Sequence, residues 1–309
     1  MENHTAIGLK EALSFLEAGN PIQAKKVLDN SLIYELDSKE LIFTGKCCIY
    51  WQEIILNTTK ISSPFDRGER LLSEWKNFLV VFRQNEWIYE PALNALCRGV
   101  FSLALQNFNS LLAEKDESLK AEILRKIGLC YKKLGEYDNA ARLLTEANKL
   151  QGGQAAVIAD LADCYALCGN DKASKALFKE AFFIDYEKVD LDFLDSELIT
   201  RLIRKTEEKG YKGDVLKAWI PVYGVLWGVF NVKRAMKPRE ISKLRQDVYA
   251  LEMEIRDPSR ANPYQTPRLL NLYFWLIDYY QSVKEDKLID EILLKIKILD
   301  TYVYNLYVK

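Results

Sequence analysis

Apolar residues recur at intervals of three and four along almost the whole chain, and no stretch alternates as a set of strands would. Only 14 Gly and 8 Pro interrupt the pattern, and they fall mostly between the apolar-striped runs. The pattern predicts an all-α protein of about 13 or 14 helices joined by short turns, as in stacked helix pairs.

The pattern also repeats. Ala121–Gln154 and Ala155–Lys188 align so that Leu124 matches Ile158, Ile127 matches Leu161, Cys130 matches Cys164 and Tyr131 matches Tyr165. Gly135 then matches Gly169, Ala140 matches Ser174, Leu144 matches Phe178 and Ala147 matches Ala181. Each set encodes two antiparallel helices. The glycine permits the tight turn, and the small residue lets the second helix approach the first. One such hairpin cannot bury its own apolar faces, so neighbours must stack on it.

In these residues the chain resembles the tetratricopeptide repeat family. It departs from the family pattern where a helix-ending proline is replaced by Gly152 and Tyr186. Weaker echoes place Ala12, Phe15, Gly19, Ala24, Leu28 and Ser31 in the same relative positions, then Gly210, Val215 and Trp219. A last echo has Tyr273, Leu276, Ile277, Tyr280, Ile289, Leu293 and Ile296, with Lys284 in place of the turn glycine. The resemblance implies a solenoid of helical hairpins, a right-handed superhelix with degenerate flanking repeats. Its expected organisation is irregular and repeat-like hairpins over 1–117, two well-matched repeats over 118–188, and degenerate repeats over 189–309.

In that family the first helix of each repeat lines a concave groove that receives a peptide or helix from a partner protein. By position, the resemblance assigns Arg125, Leu129 and Lys132 of one repeat, and Ala156, Ala159, Asp163 and Ala166 of the next, to such a groove. Small alanines beside a basic cluster leave room for an apolar ridge with an acidic flank; the alternative is that they serve tight helix packing. Leu129 and Asp160 stand where some members place the asparagines of a carboxylate clamp, so chaperone-tail binding is not expected.

A hydrophobic fraction of 49% is enough for a continuous core, and 43 basic against 44 acidic residues give no global field to draw the chain onto nucleic acid. The first twenty residues carry Glu2, Lys10, Glu11 and Glu17 where a secretory signal needs an apolar core. A cytoplasmic protein is therefore expected, and cysteines 47, 48, 97, 130, 164 and 168 are read as small buried hydrophobes. The only histidine is His4, which argues against Ser/His, Cys/His and His-based zinc chemistry. Phosphate-binding glycine loops of the usual spacing are missing, and Gly224 and Gly228 are read as a close-packing pair on an apolar helix. The expectation is a non-enzyme with no cofactor and no metal.

Three segments remain. Ala218–Val232 is uncharged and is expected to be a buried helix, with Trp219, Tyr223 and Trp227 along one face as a possible docking ridge. The basic residues Lys233, Arg234, Lys237, Arg239, Lys243 and Arg245 follow it, and the acidic run Asp185–Glu197 is their expected counterpart, within one chain or between copies. Prolines 258, 263 and 267 predict a connector that is not regular helix, ahead of a core helix beginning LLNLYFWLIDYY. The functional expectation is a protein–protein scaffold or adaptor, with self-association open and a larger bacterial-type assembly as one setting. The alternative is a peripheral membrane adaptor using apolar 218–232 and basic 233–245 at anionic lipid.

Overall fold

The computed structural model describes residues 4–309, which form fifteen α-helices and three short 3-10 turns, with no strand among them. The chain divides into two compact units, Met1–Gln151 and Gly152–Lys309, so the two well-matched repeats belong to different units.

The N-terminal unit holds α1 (His4–Glu17), α2 (Pro21–Leu32), α3 (Lys39–Thr58), α4 (Pro64–Phe82), α5 (Glu90–Asn109), α6 (Glu117–Lys133) and α7 (Tyr137–Leu150). Each helix packs on the next, and α5 also returns to α1. Helix starts follow local chemistry. Ser38, Ser63 and Asp116 accept hydrogen bonds from the backbone N–H groups of Leu41, Asp66 and Leu119. Such caps contribute about 1 kcal/mol each, and Pro21 and Pro64 open their helices where no N–H is needed. The stretch that lacked a clear repeat register builds an aromatic core: Trp51, Trp75, Phe78 and Phe101 are all at most 5% exposed and meet at ring separations of 5.6–6.1 Å.

The C-terminal unit holds α8 (Ala155–Leu167), α9 (Asp171–Asp185), α10 (Glu197–Glu207), α11 (Gly213–Leu226), α12 (Pro238–Ile255), α13 (Gln265–Val283), α14 (Asp286–Leu299) and α15 (Thr301–Val308). Helix α13 is apolar nearly all round because it is surrounded: α11, α12 and α14 all pack on it, and Leu270, Phe274, Trp275 and Ile277 are at most 2% exposed.

Five hairpins turn through a residue of positive φ, and four of them share one hydrogen-bonded geometry. Gly19, Gly135, Gly169, Gly210 and Lys284 all have positive φ, at the five positions where the repeat register places a turn. After four of them the next N–H reaches back five residues: Asn20 to the Phe15 carbonyl, Glu136 to Tyr131, Asn170 to Tyr165 and Glu285 to Tyr280, at 2.7–3.0 Å. This bond satisfies a carbonyl that the helix end leaves open, and the left-handed residue turns the chain directly into the next helix. A Cβ at Gly135 or Gly169 meets nothing within 4 Å, so backbone conformation alone requires glycine there. Lys284 adopts the same conformation at a cost of about 1 kcal/mol.

Two expectations are corrected. Helix α11 does not run through Ala218–Val232 but stops at Leu226, and Gly228 lies beyond it with φ 70°. The glycine pair therefore does not seat a neighbouring helix. Instead Phe230 folds back, donating its N–H to the Gly224 carbonyl at 2.8 Å, and its ring fills the space that a Cβ on Gly224 would need. The cysteines are not uniformly buried either. All six are free, but Cys97 is half-buried and Cys168, which caps α8, is exposed.

Candidate functional site

A cleft of about 810 Å³ opens in the C-terminal unit. One wall is a single face of α10, where Glu197, Leu198, Arg201, Leu202 and Lys205 recur at helical spacing. The facing wall comes from Ala166 and Leu167 at the end of α8 and from Asp171 and Lys175 on α9, and Trp227, Gly228 and Val229 form the floor. Asp163 sets the position of α10: its carboxylate is fully buried and accepts the backbone N–H groups of Asp195 and Ser196 at 2.9 Å. The early stop of α11 places Trp227 on the cleft floor, where the Lys205 ammonium sits 5.8 Å from its ring centroid.

Arg201, Lys205 and Lys175 contact the cleft, and none is paired with a carboxylate among the described residues. The cleft thus offers an apolar floor and three available cations, opposed by Asp171 and Glu197. By contrast, in the smaller hollow of the N-terminal unit, about 310 Å³, the cation is already committed. Its Arg67 donates to Asn107 Oδ1 at 2.7 Å and to the Ile61 carbonyl at 2.9 Å.

The residues expected to line a groove have varied placements. In the N-terminal unit Arg125 is half-buried and paired with Glu122 at 2.8 Å, while Leu129 and Lys132 are at most 2% exposed. In the C-terminal unit Ala156 is half-buried, Ala159 lies in the core, Asp163 anchors α10, and Ala166 lines the cleft. The aromatic ridge on α11 exists but turns inward. Tyr211 stacks on Trp219 at 4.8 Å, Trp219 meets Tyr223 at 5.6 Å and Tyr223 meets Trp227 at 4.6 Å. Trp219 and Tyr223 are buried, and burial together with the Tyr211 hydrogen bond pushes the Tyr223 hydroxyl pKa well up. Only Trp227, half-buried, is available to a ligand. Sequence reasoning missed Lys175, Leu198, Arg201, Leu202 and Lys205; the signal for the last four was the paired apolar and basic rows of α10.

The basic segment divides. The Arg234 guanidinium bonds both oxygens of Glu240 at 2.9 and 3.2 Å, approaches Glu180 at 3.8 Å and lies 5.5 Å from the Trp275 ring centroid. Its counterions are therefore Glu240 and Glu180, not the acidic run 185–197. Lys233 bonds Gln281, and Arg245 lies 5.6 Å from the Tyr280 ring centroid. Lys237, Arg239 and Lys243 are exposed at the start of α12. The apolar half of the lipid reading is folded away, since Ala218, Ile220 and Val222 are at most 1% exposed. No helix among the described residues is long and apolar enough to cross a membrane.

The Arg234 hydrogen bonds, followed by the Lys237 N–H at 2.7 Å, hold the Glu240 carboxyl below the usual carboxylate range. Because the folded pKa lies below the unfolded one, Glu240 contributes its full stabilisation above the unfolded value and loses it as pH falls through the folded one. Acid denaturation of the wild type should therefore begin at a higher pH than that of Glu240→Gln, measured relative to each protein's neutral stability by circular dichroism. Elsewhere, burial pushes the Cys48 thiol up to about 12 and raises Cys47 and Cys130 as well, so these thiols stay protonated and unreactive at neutral pH. Among the described residues, no three His, Cys, Asp or Glu side chains converge as a metal site.

Compared with known proteins, the chain matches no family model and no curated protein sequence.

Proposed function

We propose that this protein is a non-catalytic adaptor of tetratricopeptide-like construction, and that its C-terminal unit captures a segment of a partner protein in the α10 cleft. The observation that carries the reading is the cleft itself: an apolar floor ending in Trp227, two leucines on one wall, and three cations without carboxylate partners. Its volume corresponds to roughly two turns of a helix about 10 Å across. Charge and shape together favour an amphipathic segment with an apolar ridge and acidic flanks. The shared left-handed turn of the five hairpins supports the repeat construction, because a repeated supersecondary unit predicts a repeated cap.

Affinity capture from the native cell tests the reading when three baits are compared. Lys175→Glu/Arg201→Glu/Lys205→Glu should lose the proteins retained by the wild type, while Lys237→Glu/Arg239→Glu/Lys243→Glu should keep them. The opposite pattern would move docking to the start of α12, and retention by both variants would remove electrostatic recognition from the account.

A further inference from the structure

Helix α3 carries a second surface that the cleft does not use. Ile42, Ile49 and Leu56 are 39%, 53% and 50% exposed, and they recur every seven residues along one line of the helix. Lys46 and Glu53 are exposed on the same line, between the apolar residues, and neither is in an ion pair among the described residues. On either side of the line the helix is occupied: Leu41, Phe43, Cys47, Cys48 and Trp51 are at most 4% exposed. The result is a narrow apolar ridge with one charge in each gap, three large aliphatic side chains standing in water on an otherwise well-packed helix.

We infer that this ridge is the contact by which two copies of the chain associate, with the α3 helices antiparallel about a two-fold axis beside Ile49. The order of residues selects that occupant. About such an axis Ile49 meets its own copy, Ile42 faces Leu56, and Lys46 comes beside Glu53, each of these unlike pairs occurring twice by symmetry. A parallel pairing would set Lys46 against Lys46 and Glu53 against Glu53. The ridge is therefore complementary to itself in one orientation only. At the ends Lys39 approaches Lys60, both exposed and screened by solvent, with the half-buried Glu40 alongside. A single helix about 30 Å long supplies less than the roughly 1,000 Å² expected of a stable interface, so the dimer is weak and concentration-dependent.

Sedimentation equilibrium of the full chain from micromolar to near-millimolar concentration reads this directly. The wild type should move from monomer towards dimer, and Ile49→Glu should stay monomeric with an unchanged circular dichroism spectrum. Lys46→Glu and Glu53→Lys should each weaken association about tenfold, and the double reversal Lys46→Glu/Glu53→Lys should restore it. A wild type that is monomeric throughout, an Ile49→Glu variant that still dimerises, or a double reversal that fails to recover would each overturn the inference. All three outcomes are independent of the α10 cleft.

Discussion

Replacing Asp278 by alanine should destabilise the C-terminal unit by about 3–5 kcal/mol, the cost of leaving a buried charge without its counterion. Lys179 on α9 is 4% exposed and pairs with Asp278 on α13, with its ammonium 5.1 Å from the Trp275 ring centroid. The Val232 carbonyl, 3.5 Å from Nζ, is a weak substitute for a carboxylate. The cost should be asymmetric. Lys179→Met leaves behind an aspartate whose side chain is 15% exposed and can reach water, so it should cost less than Asp278→Ala. Lys179→Met/Asp278→Leu should recover much of the loss, because a packed apolar pair removes both desolvation penalties. Urea unfolding of the wild type, Lys179→Met, Asp278→Leu and Lys179→Met/Asp278→Leu measures the coupling as a double-mutant cycle, and strictly additive losses would contradict it.

Gly99→Ala should cost about 3 kcal/mol, although alanine is normally the better helix former. Here α5 crosses α1 so closely that a Cβ on Gly99 would lie 2.0 Å from the Leu16 carbonyl oxygen and 3.0 Å from the Gly19 nitrogen. Both are backbone atoms and cannot rotate away, so the helices must separate. Gly45 on α3 is the control. It too sits inside a helix, yet a Cβ there meets nothing within 4 Å, so Gly45→Ala should stabilise by about 0.5–1 kcal/mol. Opposite signs for the two substitutions in one denaturation series would tie the effect to close packing rather than to helix propensity.

Features that depend on local chemistry were legible in the sequence. The five turn positions follow from the spacing of the apolar stripes, and Lys284 takes the positive φ that Gly19, Gly135, Gly169 and Gly210 take at the other four. The core role of α13 follows from its nearly continuous apolar surface. Features that depend on partners distant in sequence were not legible. A glycine four residues after another reads the same whether it continues a helix or ends one, and only Phe230 packing back on Gly224 distinguishes the cases. The Arg234 counterions lie six residues after it and fifty-four before it, at Glu240 and Glu180, while the nearest dense acidic run suggested otherwise. Trp219, Tyr223 and Trp227 do share a face, but the exposure of that face depends on Tyr211 covering it. The cleft was hidden for the same reason, since α8, α9, α10 and the end of α11 meet only in the folded unit.

The central claim, that the α10 cleft receives a partner segment, is tested most directly by a photo-crosslinking amino acid placed at Arg201 in the native cell, with a second at Ser242 on exposed α12 as control. The account predicts a discrete adduct from position 201 that mass spectrometry maps to an acid-flanked apolar segment of another protein, and that Trp227→Ala abolishes. Identical adducts from both positions, or an adduct at 201 that survives Trp227→Ala, would contradict it.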